Sequence, residues 1–174
     1  MSIIVKETGN TFTKAPEGVH QAVCCDVISA FQVDRKKKDG TDYKRDEVTI
    51  IFQLAALNPD NDNKRFQVRR LFGMNLATTG HLRPFLENWR GKKFTKEELS
   101  KGFDVEKLIG VNCNVNILHN GDWANIAGVM PLSAGQPKIE IDGYTRKAAE
   151  PQPVVMEATA ISKAGELSDD DVPF

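Results

Sequence analysis

The chain has 174 residues, 40% hydrophobic and 27% charged, enough for one domain with a real core plus a tail. Its net charge of -1 hides an asymmetry: residues 1–147 hold 22 Lys and Arg against 18 Asp and Glu, whereas residues 148–174 hold one Lys against six acids. No apolar run approaches the ~18 residues of a membrane span and no signal peptide is visible, so we expect a soluble, cytoplasmic protein with no membrane partner.

Residues 1–17 are weakly patterned and read as a lead-in ending at Pro16-Glu17-Gly18. Gly18 to Val33 reads as a long strand in which Val19, Val23, Cys25 and Val27 alternate, with breaks that allow a bulge or bend. A turn centred on Asp39-Gly40 follows. The second strand runs from Asp46 to Leu57; Val48, Ile50, Phe52 and Leu54 share one face, and Ile51 on the other suggests a central strand covered on both sides. After the Asn58-Pro59-Asp60-Asn61-Asp62-Asn63 loop, a third strand spans Lys64 to Gly73, completing a meander.

The period then changes. Leu82, Phe85, Leu86 and Trp89 make the apolar stripe of a helix with Thr79 as its expected N-cap and Pro84 in the first turn. Thr95-Lys96-Glu97-Glu98 is a capping-box signature opening a second short helix that ends near Gly102, and Asp104 caps a last turn before Leu108. Val111, Cys113, Val115 and Ile117 then point inward, with Asn112, Asn114 and Asn116 outward. Asn120-Gly121 is a hairpin turn leading into a fifth strand from Trp123 to about Met130. Lys138 to Tyr144 has the makings of a further hairpin arm.

Three strands, a helical block and two strands make the expected fold mainly β: a five-stranded OB-fold barrel with a helical insertion between strands three and four, plus a disordered C-terminal tail. An SH3-like barrel has no room for the insertion, and a ferredoxin-like fold needs a helix straight after its first strand. The expected domain boundaries are 1–147 for the barrel, 148–165 for an Ala, Pro, Glu, Val and Thr linker, and 166–174 for an acidic tip. Cys24, Cys25 and Cys113 lack ligand-like spacing to His20, His81 or His119, so they read as reduced, mostly buried thiols, with neither a metal nor another cofactor expected.

Binding to single strands without sequence preference needs cations that follow phosphates and aromatic faces that accept unstacked bases. The connection between strands one and two supplies Arg35, Lys36, Lys37 and Lys38, then Tyr43, Lys44 and Arg45. The third strand supplies Arg65, Arg69 and Arg70 with Phe66 and Phe72 interleaved. Strict alternation would turn Arg70 inward with Phe66 and Val68; a bulge at Arg69-Arg70 would instead send Leu71 to the core and Phe72 outward as a stacking residue. Trp123, beside the Asn120-Gly121 turn, is a further stacking candidate, whereas Trp89 belongs to the core and Arg90, Lys92 and Lys93 read as solvated surface rather than as an extension of the basic track. The lysine arm and the arginine strand must share one side of the molecule for this site to exist.

The acidic tip ends unusually. Asp169, Asp170 and Asp171 precede Val172, Pro173 and Phe174, an anionic leash closed by a rigid apolar plug, as a peptide that docks in a basic-rimmed pocket requires. Asp-Asp-Asp-Val-Pro-Phe closely resembles the C-terminal tip of bacterial and phage single-stranded-DNA-binding proteins, with the phage-encoded members the closer match. The resemblance implies coating of single-stranded DNA during replication, recombination or repair in a bacterial or phage-infected cell, with the tip recruiting replication and repair proteins. It also implies that an assembly of several copies is to be considered. Rival readings are a protein-interaction module of a replication complex, an RNA-binding OB protein, and a nuclease built on Asp26, Asp46 and Glu47. The last lacks both a catalytic histidine constellation and a phosphate-cradling Gly-rich loop, so an enzyme is not expected.

Overall fold

β-Branched and aromatic residues dominate the strand segments, and Gly, Asn and Asp punctuate them; the computed structural model describes residues 12–147 and turns this pattern into one antiparallel sheet. In chain order the elements are β1 (Gly18–Lys36), β2 (Asp42–Asn58), β3 (Lys64–Gly73), α1 (Leu82–Arg90), α2 (Lys96–Lys101), a 3-10 turn (Val105–Leu108), β4 (Asn112–Asn120) and β5 (Trp123–Met130). The sheet runs β3-β2-β1-β4-β5, so β3 and β5 are its edges. The expected linker (148–165) and tip (166–174) lie outside the described residues, as do residues 1–11. No helix among the described residues is long and apolar enough to cross a membrane.

The helical block lies against the inner face of the sheet. Leu82, Phe85, Leu86 and Trp89 of α1 are buried with Ile50, Phe52, Phe72 and Val115 in one core. Phe52 and Trp89 have ring centroids 5.2 Å apart, and Phe72 and Phe85 4.7 Å apart, so the helix docks mainly through aromatic packing. The N-cap of α1 is His81, which makes no side-chain capping bond; the expected Thr79 lies outside the helix, and Pro84 falls in the first turn where its missing N–H costs nothing. The capping box of α2 forms as expected between Thr95 and Glu98, and Asp104 accepts from the Glu106 amide at 3.0 Å. Glu98 also pairs with Arg90 at 2.8 Å; that contact and the Thr95 amide hold its carboxyl down at about 2. Arg90 is therefore spent inside the helical block, over the Phe94 ring, and adds nothing to a basic surface track.

Ile51 is buried opposite Ile50 and Phe52, so β2 is covered on both faces as expected. In β1 the inward set differs from the expected one. A register shift between Cys24 and Asp26 lets Ala22 and Cys24, then Val27, face the main core, while Val19 is exposed. All three cysteines are buried and unbridged, and burial raises the pKa of each thiol.

The outer face is covered by residues that sequence periodicity left unassigned. Residues 131–147 form no strand or hairpin; they lie across the sheet as a strap held by side-chain amides. Asn112 accepts from the Ile139 amide at 2.8 Å and donates to its carbonyl at 2.9 Å. Gln53 does the same for Asp142, at 2.9 and 2.6 Å, and Asn114 exchanges two bonds with Gln136. Each amide offers one donor and one acceptor side by side, so it satisfies a backbone segment much as a neighbouring strand would. Asn112 and Asn114, expected to face solvent, are thus buried beneath the strap.

Candidate nucleic-acid interface

Strand alternation places Tyr43, Arg45, Glu47, Thr49, Ile51 and Gln53 on the outer face of β2, and pairing sets Arg69 beside Ile51 and Gln67 beside Gln53. Arg35 pairs with Tyr43 from β1. Arg35, Tyr43 and Arg45 of the arm therefore share a face with Arg65 and Arg69, with Arg45 about 20 Å along β2 from Ile51 at ~3.3 Å per residue. Lys36 and Lys44 fall at the alternate positions, so the expectation that the whole arm shares one side with the arginine strand is met only by its arginines and Tyr43.

The arm is less free than its composition implies. Arg35 and Arg45 both grip the buried Glu47, each at 2.6 Å, and the Arg35 contact above all, with Arg45, overcomes burial and holds the Glu47 carboxyl at about 2. Lys36 lies 3.7 Å from Asp42 and Lys44 lies 3.5 Å from Asp34, both pairs exposed. Of the six expected arm cations, only Lys37 and Lys38 have no ion-pair partner among the described residues.

In β3 two expected roles are corrected. The β2–β3 register is unbroken from Gln53–Gln67 to Glu47–Gly73, so no bulge forms at Arg69-Arg70. Phe72 points into the core at 2% exposure, closed off from any base, while Leu71 is 46% exposed. Arg70 points inward as strict alternation demands. Its guanidinium lies 5.1 Å from the Phe72 ring centroid and 5.3 Å from that of Phe85, and it donates to the Ile126 carbonyl at 3.1 Å. The arginine tolerates this half-buried site because two π faces and a carbonyl replace part of its hydration; burial lowers its pKa. Arg70 thereby bridges the two sheet edges, β3 and β5, instead of facing a phosphate.

Below that bridge lies a groove of about 550 Å³, within the range ligand clefts occupy. Of the candidate binding residues, Arg65, Arg69 and Trp123 line it, joined by Phe12, Lys14, Lys64, Phe66, Tyr144 and Lys147. Its lining thus holds five cations and four aromatic side chains, Phe66 being the buried one, against one acid, Asp122. Trp123 is 70% exposed and Phe12 82%, so both present ring surface to solvent. The lead-in is held in place at several points: Lys14 donates to the Gly121 carbonyl at 2.9 Å, Thr13 bonds Asp60, and His119 contacts the Ala15 carbonyl. Phe12 and Lys14 escaped sequence reasoning because that segment has no period, and Tyr144 and Lys147 because they follow the last recognisable strand.

The three carboxylates weighed as a nuclease set do not converge on one centre. Asp26 is occupied by the strap, Asp46 accepts from the backbone and side chain of Gln32, and Glu47 lies between its arginines. The partner-docking residues Asp169, Asp170, Asp171, Val172, Pro173 and Phe174 lie outside the described residues. No protein-family model matches this chain, and no curated protein matches it either.

Proposed function

We propose that this chain binds single-stranded DNA with little sequence preference through the groove between β3 and the start of β5. In this reading Lys37 and Lys38, at the tip of the β1–β2 hairpin, offer phosphates a second contact away from the groove, and the tip from Asp169 to Phe174 recruits replication and repair proteins. The observation that carries the reading is the lining of the groove: five cations and four aromatic side chains with a single acid. Cations neutralise phosphates and exposed rings accept bases that a single strand, unlike a duplex, leaves unstacked.

The sheet order supports an OB-type architecture. A sheet running β3-β2-β1-β4-β5, with helices between β3 and β4 and an Arg70 hydrogen bond reaching from one edge strand to the other, is the arrangement this reading takes as an OB barrel left open between its third and fifth strands. The surfaces such folds use for ligand, strands two and three and the connections on either side, are here the ones that bear the groove and the arm. The tip's resemblance to phage-encoded single-stranded-DNA-binding proteins points the same way.

The test is fluorescence anisotropy of a labelled dT oligomer competed with unlabelled dT, duplex DNA or rU. We expect dT to compete far better than duplex. Equal competition by duplex would refute the groove as a single-strand site, and preference for rU would make the ligand RNA. Changing Phe174 to Ala removes no charge, so dT affinity should persist while retention of replication proteins is lost.

A further inference from the structure

One acidic side chain on the outer face serves a part of the molecule that the proposed function leaves unexplained. Asp26 sits in β1 with no exposed surface. Its carboxylate accepts four hydrogen bonds: from its neighbour's Val27 amide at 2.9 Å, from Tyr144 Oη at 2.9 Å, from Arg146 Nε at 3.2 Å and from the Lys147 amide at 2.9 Å. Three of the four donors belong to the last residues of the strap. A buried carboxylate is tolerated only when its oxygens are filled in this way, and the strap end can hold its place only while they accept. Arg146 is further tied to Glu106 at 3.1 Å, which joins the strap end to the 3-10 turn.

The two other residues held there, Tyr144 and Lys147, are groove residues. Tyr144 spends its hydroxyl on Asp26 and is left half-buried, with its ring at the groove; Lys147 spends only its backbone amide, leaving its ammonium exposed and without an ion pair among the described residues. Resting on the single-strand reading of the groove, we infer that Asp26 is a positioning residue for nucleic-acid binding. It clasps the strap so that Tyr144 presents a ring to a base and Lys147 presents its charge to a phosphate.

Every donor at Asp26 requires an acceptor. Asp26→Asn replaces one carboxylate oxygen with an NH2 facing donors, and the Lys147 amide cannot reverse its role. The strap end should then leave the groove, taking both contacts with it.

The experiment uses the full chain and a labelled dT oligomer, reading affinity and its salt dependence alongside the thermal midpoint. Lys147→Gln keeps the amide clasp, so its midpoint should not move while the slope of log affinity against log salt becomes shallower by about 0.7, the loss of one neutralised phosphate. Tyr144→Ala should weaken binding about tenfold, within the range measured for one base–aromatic stack. Asp26→Asn should show both losses, and adding Lys147→Gln to it should leave the slope unchanged, because the lysine has already left. A purely structural role for Asp26 would give additive slopes in that pair. Should Asp26→Asn fail to fold, Tyr144→Phe, which keeps the ring and loses the Oη donor, takes its place and should weaken binding. If wild type binds dT but Lys147→Gln keeps the full slope and Tyr144→Ala the full affinity, the clasp is overturned and the groove reading stands. A wild-type chain that ignores dT overturns both.

Discussion

Lys64 and Arg69 offer the cleanest way to measure what the groove does. Both are exposed and line it, and neither side chain makes a hydrogen bond or ion pair among the described residues. Changing both to Gln should therefore alter stability by no more than about 0.5 kcal/mol. Their effect on binding is set by counterion release. If all five lining cations neutralise phosphates, the slope of log affinity against log salt is about -3.5 at ~0.7 per contact. Without these two it falls to about -2. Over a fourfold rise in salt the wild type should lose about 100-fold in affinity and the double variant about 20-fold. Anisotropy titrations of a dT oligomer at several salt concentrations give both slopes directly. Equal slopes would mean that phosphates pass elsewhere, and a shift in thermal midpoint would mean that the two side chains are not the free cations described.

Two aromatic residues that look alike in the sequence should separate cleanly. Phe72→Ala opens a cavity beside Phe85 and should cost ~3–5 kcal/mol of stability, read by denaturant unfolding, whereas Trp123→Ala should leave stability nearly unchanged and cost roughly 1–3 kcal/mol of dT binding. The arm should respond to acid through Glu47. Its folded pKa, about 2, lies below the ordinary 4.5, so its contribution is complete above the ordinary value and is lost as pH falls from there toward 2. In an acid titration followed by circular dichroism, Glu47→Gln should therefore flatten the part of the unfolding curve between those values; an unchanged curve would show that the two arginine pairs contribute nothing.

Elements governed by local chemistry were legible in the sequence. The bounds of β3, the stripe of α1 and the Thr95–Glu98 box follow from periodicity or capping and appear where expected, and the β4–β5 hairpin forms one residue later than expected, turning at Gly121-Asp122 with Asn120 paired to Trp123. Where tertiary neighbours decided, the sequence was ambiguous. Val23, Cys24 and Cys25 are all buried because β1 is covered on both sides, so no alternation marks the core face and the shift after Cys24 cannot be seen. An inward Arg70 looks prohibitive until the Phe85 ring and the Ile126 carbonyl are known to meet it. The arm's charge looks free until strand register brings Glu47 between Arg35 and Arg45.

The strap gave no period because its backbone is satisfied by side chains and not by a strand. Its signature was displaced onto its hosts: Gln53, Asn112 and Asn114 are poor strand formers in otherwise apolar strands, and Asp26 interrupts the buried run of β1. Such residues invite a search for a covering segment. Of the expected groove residues, Arg65, Arg69 and Trp123 were recognisable because they lie on regular strands or beside a hairpin turn. Phe12, Lys14, Tyr144 and Lys147 reach the same groove from irregular backbone, which no periodicity can place.

Tryptophan emission gives the most direct test of an aromatic, cationic groove that takes single strands. Trp89 is sealed in the core at 2% exposure and Trp123 is 70% exposed at the groove, so the two report separately. Poly-dT should quench the wild-type signal, added salt should restore it, duplex should leave it unchanged, and Trp123→Phe should abolish the response. Emission indifferent to poly-dT, or quenching that survives in Trp123→Phe, would contradict the account.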